Sequence, residues 1–180
     1  HLSIRRQRQM CIRDRHMPLQ RLDQDLFDRI AATARQRPRR RMNHNLHLAE
    51  DLVQRFINVL QPGTYVRPHR HAREGEGSGF ECFVVLQGAV GLLLMNQEGE
   101  IIQKERLDAA GPLRGIELAE NQVHTLVALE DDTVIFELKQ GPYQPASDKD
   151  FLPGFPLEQS SAAIEQEQRW RDLFLGSGHD

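Results

Sequence analysis

Gly63-Thr64-Tyr65-Val66-Arg67-Pro68-His69-Arg70-His71, nine residues of Gly- and Glu-rich sequence, then Glu81-Cys82-Phe83-Val84-Val85-Leu86-Gln87-Gly88: this stretch decides the reading of the chain. Side chains alternate faces along a strand, so Tyr65, Arg67, His69 and His71 are expected on one face, with Val66, Pro68 and Arg70 on the other. Two imidazoles then share a face. Glu81 opens the next apolar run, and pairing of the two segments would bring its carboxylate opposite them. A third imidazole, His124, lies in the strand-like run Val123-His124-Thr125-Leu126-Val127-Ala128-Leu129. Nitrogen and oxygen donors of this kind suit a divalent transition metal, which makes His69, His71, Glu81 and His124 a candidate site.

Working outward, the segments around this stretch read as short strands between turns. Leu52 to Leu60 is apolar and β-branched and ends at Gln61-Pro62-Gly63, a turn signature. After Glu81 to Gln87 come Ala89 to Met95, a hairpin turn at Asn96 to Gly99, Glu100 to Leu107, Arg114 to Leu118, Val123 to Leu129 and Thr133 to Gln140. So many short strands with turns between them predict a sandwich or barrel, and a jelly roll in particular. Helices are expected only at the ends. Leu22, Leu26, Phe27, Ile30, Ala31 and Ala34 recur at helical spacing over 22–36, and Ala163, Trp170 and Phe174 share a face over 158–174, with Ser160 or Ser161 as N-cap. Pro38 ends the first helix, and the basic run Arg35 to Arg41 reads as its solvated end, complementing the C-terminal dipole. Asn43-His44-Asn45-Leu46-His47 and the turn-rich 141–151 are expected as loops. Cys82, pointing away from the Glu81 face, reads as a small buried apolar residue.

The expected organisation is residues 1–16 foreign to the fold, 17–42 an N-terminal helix and linker, 43–155 the β domain, and 156–180 a C-terminal helix and tail. Residues 1–16 carry five Arg against one Asp, lack an apolar signal region, and resemble translated sequencing-adapter sequence, so Met17 is the expected natural start. Setting them aside leaves 18 basic against 25 acidic residues, a net charge of −7 in place of −3. Such a domain is a poor binder of nucleic-acid backbone. No apolar run approaches the ~20 residues of a membrane span. Cys82 is then the one remaining cysteine, and it cannot form an internal disulfide, which agrees with a reducing, cytoplasmic compartment.

The run Gly63-x5-His69-x-His71 followed by Glu81-x6-Gly88 resembles the first conserved motif of the cupin superfamily. Gly115 to His124 resembles the second, with Ala119 and Asn121 where the family usually has Pro and Gly. Within that superfamily the sequence is similar to the WbuC-type cupin-fold metalloproteins of bacterial surface-polysaccharide gene clusters. The residues carrying this likeness are Asn43 to His47, Val53 to Phe56, Leu60 to His71, Val123 to Leu129 and Gly141 to Phe151. The resemblance implies an all-β cupin double-stranded β-helix with a helix at each end. It also implies one divalent transition metal (Fe, Mn, Ni or Zn) on His69, His71, Glu81 and His124. Cupins usually place three or four residues between the second His and the Glu, whereas nine intervene here, so Glu74 or Glu76 could supply the carboxylate instead. Glu81 is preferred because a strand fixes a ligand better than a Gly-rich loop.

Around this centre, Arg67, Asn43, Asn45 and Tyr143 are candidate substrate contacts, and His47 and Tyr65 are weak candidates for acid–base work. The resemblance implies an enzyme acting on a small polar molecule, a sugar or sugar nucleotide, with the metal as Lewis acid in an isomerase- or epimerase-like reaction. An Fe(II)-dependent oxygenase and a non-catalytic metabolite-binding or sensing module are the competing expectations. Neither a nucleic acid nor a membrane is an expected partner, and a homodimer is the assembly the resemblance allows.

Overall fold

The computed structural model describes residues 19–71, 79–143 and 149–176. The N-terminal segment, Glu74 and Glu76 all lie outside them. Ten strands form two five-stranded sheets, paired antiparallel throughout. One sheet has the order β1-β2-β9-β4-β7 and the other β10-β3-β8-β5-β6. In the first sheet the strands are β1 (Arg41–Asn45), β2 (Val53–Leu60), β9 (Thr133–Gln140), β4 (Glu81–Gln87) and β7 (Gly115–Leu118). In the second they are β10 (Asp150–Phe151), β3 (His69–Arg70), β8 (Val123–Ala128), β5 (Ala89–Met95) and β6 (Ile101–Asp108). Apart from the consecutive pairs β1-β2 and β5-β6, neighbours in each sheet come from distant parts of the sequence. This is the jelly roll of the cupin fold, with α1 (Gln24–Gln36) before it and α2 (Ser161–Leu175) after it.

Strand alternation sorts the apolar residues into three layers. Leu60, Phe83, Val85, Val90, Leu92, Leu126 and Ile135 face inward and fill the space between the sheets. The opposite faces of β2 and β9 present Ile57, Val59 and Val134 to α1, which buries Leu26, Phe27, Ile30, Ala31 and Ala34 against them. Asp23 caps α1 by accepting a hydrogen bond from the Leu26 N–H (3.0 Å). On the other side, Leu93, Met95, Val123 and Val127 receive Ala163 and Trp170 of α2, which Ser160 caps in the same way. Gly91 is required by this packing, because a Cβ there would lie 2.3 Å from the Phe174 ring.

Several local expectations change. The strand expected from Tyr65 to His71 survives only as His69–Arg70. Pro68 cannot donate to a ladder, and the preceding residues leave strand geometry. Tyr65 accordingly parts from the histidine face and stacks on Trp170, with ring centroids 5.6 Å apart. Asn43 to Asn45, expected in a loop, belong to β1, paired along β2 from Arg41↔Leu60 to Asn45↔Phe56. Strand β1 therefore begins within the segment read as linker. The basic run is not a solvated helix end throughout. Arg41 is largely buried and joins Arg39 on the Glu158 carboxylate (2.6 and 2.7 Å), tying β1 to the segment before α2. Asp150–Phe151, expected in an irregular stretch, adds the short strand β10 to the edge at β3. Cys82 is half-buried, not buried. No helix among the described residues is long and apolar enough to cross a membrane.

Candidate metal centre

Three segments bring the histidines together. His69 sits on β3 directly opposite His124 on β8, and His71 follows one residue beyond β3. Their ligand-capable nitrogens all lie within 4.8 Å of one another, and all three side chains are buried. Glu81 enters from the facing sheet at the first position of β4. Its Oε2 lies 3.0 Å from His71 Nε2 and 3.1 Å from His124 Nε2. A three-imidazole, one-carboxylate cluster thus closes between the two sheets, on the four residues expected from sequence.

Backbone groups orient two of the rings. His69 Nδ1 is 2.9 Å from the Arg67 carbonyl and His124 Nδ1 is 3.0 Å from the Gln122 carbonyl. Donation at Nδ1 leaves Nε2 as the lone-pair nitrogen, the tautomer that metal-ligating histidines adopt. The electrostatics suit a cation. Burial pushes the His69 pKa well below the usual imidazole value, so that ring is neutral at pH 7. Burial also opposes a charge on Glu81, yet His124 and His71 outweigh it and hold the carboxyl well below the usual carboxylate range. His124 is desolvated as well, but Glu81 raises its pKa overall. A buried carboxylate that keeps its charge among imidazoles is the donor chemistry of a divalent transition metal.

The other candidates fall into two groups. Asn43, Asn45, His47 and Tyr143 gather at the open end of the barrel. A cavity of about 60 Å³ runs against His69, Glu81 and His124 and is bordered by Asn43, Asn58, Glu137 and Lys149. It adjoins a vestibule of about 300 Å³ lined by Asn43, Asn45, His47, Gln54, Glu137, Lys139, Tyr143 and Lys149. His47 Nδ1 accepts from the Arg55 N–H (2.9 Å), and the ring packs edge-on against Phe56. Burial lowers its pKa. The remaining pair is not gathered there. Tyr65 lies in the α2 layer, its hydroxyl donating to the Pro156 carbonyl (3.0 Å). The Arg67 guanidinium stacks over Phe151 (5.2 Å) and donates to the Leu152 carbonyl (3.2 Å), with the Phe151 ring between it and His69.

The structure adds polar residues that the sequence reading passed over. Ile135, Glu137 and Lys139 are successive inward positions of β9, and Leu60, Asn58, Phe56 and Gln54 are those of β2. The signal was present in strand parity: once Ile135 and Leu60 are assigned to the core, the same faces must carry Glu137, Lys139, Asn58 and Gln54 inward. Asn58 Nδ2 donates to Glu137 Oε2. Burial, reinforced by Glu81, pushes the Glu137 carboxyl up to about 7. Lys149 is exposed as a residue but borders every one of these cavities, and burial of its ammonium lowers its pKa against the pull of Glu137.

Residues 22–107 match the family model of a domain of unknown function, DUF6016, a span that holds His69, His71 and Glu81 and stops before His124. No curated protein matches the sequence. Among solved structures, KdgF from Halomonas sp. is similar at 23% identity and a TM-score of 0.44, over 59% of this chain and 83% of that one. The capsular polysaccharide assembling protein CapF from Staphylococcus aureus is similar at 18% identity and a TM-score of 0.49, over 62% of this chain and 34% of CapF. An oxalate decarboxylase from Lactobacillus farciminis gives 16% and 0.44, over 57% of this chain and 27% of the enzyme. With every one of these TM-scores below 0.5, the fold assignment rests on the chain's own strand order and register.

Proposed function

We propose that this protein is a metal-dependent cupin enzyme that isomerises or epimerises a small polar substrate, a sugar or sugar nucleotide. The observation that carries the reading is the buried cluster of His69, His71 and His124 with Glu81 Oε2 at 3.0 and 3.1 Å from two of the rings. These four residues would hold the ion, which when bound supplies Lewis acidity toward a carbonyl or vicinal hydroxyls. The sugar class is supported by the WbuC-like motifs and by the amide-rich lining of the vestibule.

The chain's own groups divide the remaining work. The Arg67 and Gln122 carbonyls fix the imidazole tautomers from behind. Asn43, Asn45 and Tyr143 offer hydrogen bonds to hydroxyls at the entrance. His47 is the acid–base candidate that the vestibule retains, its Nδ1 held 2.9 Å from the Arg55 nitrogen and 2.8 Å from the Arg55 carbonyl oxygen. The substrate is a small molecule, and neither nucleic acid nor membrane has a part in the reaction.

Elemental analysis of purified wild type beside a His69→Ala/His71→Ala variant is the test. About one equivalent of a transition metal is expected in wild type and almost none in the variant; equal content in both, or none in either, removes the reading. Exchange of a carbon-bound hydrogen for solvent deuterium in UDP- or dTDP-linked sugars would then separate an isomerase or epimerase from a protein that only binds.

A further inference from the structure

The vestibule holds an unusual side chain. Gln54 is fully buried on β2, and neither its Nε2 nor its Oε1 has a hydrogen-bond partner among the described residues. A buried amide left with both ends open is costly, and natural structures tolerate one chiefly where a water, an ion or a ligand completes it. Gln54 lines the same 300 Å³ space as Asn43, Asn45 and Tyr143, so the wall offers donors and acceptors in the mixture that a polyol presents. The neighbouring Asn58 Oδ1 is likewise buried without a partner, at the boundary with the histidine cavity.

Charge adds a second, independent constraint. Around the linked cavities stand two carboxylates, Glu81 and Glu137, and two ammoniums, Lys139 and Lys149, together with Arg41, whose charge Glu158 offsets. Lys139 is buried opposite Glu81 across β9 and β4 and opposite Gln54 across β9 and β2. Among the described residues, and with Glu137 ionised, these four charges cancel. A divalent cation on the histidines would then leave two positive charges uncompensated in a space of low polarisability, where an unmatched charge is strongly unfavourable. The group that completes the site must bring negative charge.

From the open Gln54 amide and this charge pattern we infer that the vestibule takes a small polyhydroxylated anion, a sugar carboxylate or sugar phosphate. Its hydroxyls meet Gln54, Asn43 and Asn45, and its anionic group meets Lys139 and Lys149. The inference rests on the metal reading above and narrows its substrate to charged sugars. The volume lies at the lower end of ligand sites, which suits a single sugar unit.

Isothermal titration calorimetry of the metal-loaded protein with D-gluconate, D-glucose 6-phosphate and neutral D-glucose tests this directly. At least one anion is expected to bind about tenfold or more tightly than glucose, the size of effect that a charged hydrogen bond supplies. Which anion wins identifies the carboxylate or the phosphate as the recognised group. Lys149→Met, on a residue exposed enough to leave the fold intact, and Gln54→Leu should each weaken that anion by a similar factor, and chelation of the metal should weaken it further. Lys139→Met serves as a third variant, scored only if its melting curve matches wild type. Equal binding of glucose and both anions, or an anion affinity untouched by Lys149→Met, overturns the inference. Metal content measured on the same samples separates the two readings: a loaded protein indifferent to charge sinks this inference alone, whereas a protein that holds no metal sinks the reading beneath it and this one with it.

Discussion

The two ends of the barrel interior are built from the same strands and do opposite things. At one end β9, β4, β8 and β2 contribute Ile135, Val85, Leu126 and Leu60 to the apolar core, of which Ile135, Leu126 and Leu60 also form the apolar wall of the histidine cavity. A few inward positions further along, those strands contribute Glu137 and Lys139, Glu81, His124, and Asn58 and Gln54. Neither the register nor the pleat changes between the ends. Only the side chains change, and with them the work: the apolar end supplies cohesion, and the polar end concentrates buried donors and charges that cost stability and are paid for by the other half.

Substitutions at the two ends should therefore separate. At the polar end, His69→Ala/His71→Ala removes two of the four proposed ligands and is expected to lower metal affinity by well over a hundredfold, while far-ultraviolet circular dichroism stays that of a β protein. Loss of the β signal along with the metal would mean that the two ends are not independent. At the apolar end, Ile135→Ala should cost about 2–5 kcal/mol in denaturant unfolding, because it removes buried apolar atoms and enlarges the cavity beside them. Its metal stoichiometry should remain that of wild type. A variant that lost both in proportion would show the centre to depend on global stability alone.

The apolar end was the more legible in sequence. Short apolar runs between turn signals in Thr133 to Gln140, Val123 to Leu129 and Ala89 to Met95 mark strands whatever their partners, and the ends of β9 fall where the pattern puts them. The four metal-ligand candidates were legible for a different reason: His-x-His and the Glu81 strand stand in a recognisable frame. What escaped was whatever depended on pairing. Nothing local makes Asn43-His44-Asn45 a strand; it becomes one because Asn43 and Asn45 lie opposite Asn58 and Phe56 of β2. Glu137 and Lys139 look like ordinary surface charges until both neighbours of β9 are known. Tyr65 shows the converse failure, since alternation was extended through Pro68, where the backbone no longer holds it.

Glu137 tests the boundary between the ends with a smaller effect. Its carboxyl, pushed up to about 7 by burial and by Glu81, has a folded pKa above the unfolded value of 4.5. The neutral acid is the form that folding favours, so its contribution is fully present below pH 4.5 and is lost as pH rises through 7. Glu137→Gln keeps the neutral form at every pH. In metal-free protein its melting temperature should gain on wild type as pH rises from 5 to 8. A gap that stays constant over that range would place the Glu137 charge in solvent and break the contrast between the two ends.

The smallest effect lies outside the barrel, at the residue that left the histidine face. Tyr65 stacks on Trp170 and donates its hydroxyl to the Pro156 carbonyl, and burial pushes its pKa up to about 12. The folded value exceeds the unfolded value of about 10, so the stabilisation is complete below pH 10 and fades as pH climbs toward 12, where the unfolded chain ionises and the folded one resists. Tyr65→Phe keeps the stack and removes the hydroxyl. It should cost about 1 kcal/mol at pH 7, the net worth of one hydrogen bond, and should flatten the alkaline loss of stability between pH 10 and 12. Metal content should not move. If Tyr65→Phe instead lowered metal content or turnover while leaving the alkaline limb unchanged, the hydroxyl would belong to the site, and the division between a working barrel mouth and a structural α2 layer would have to be redrawn.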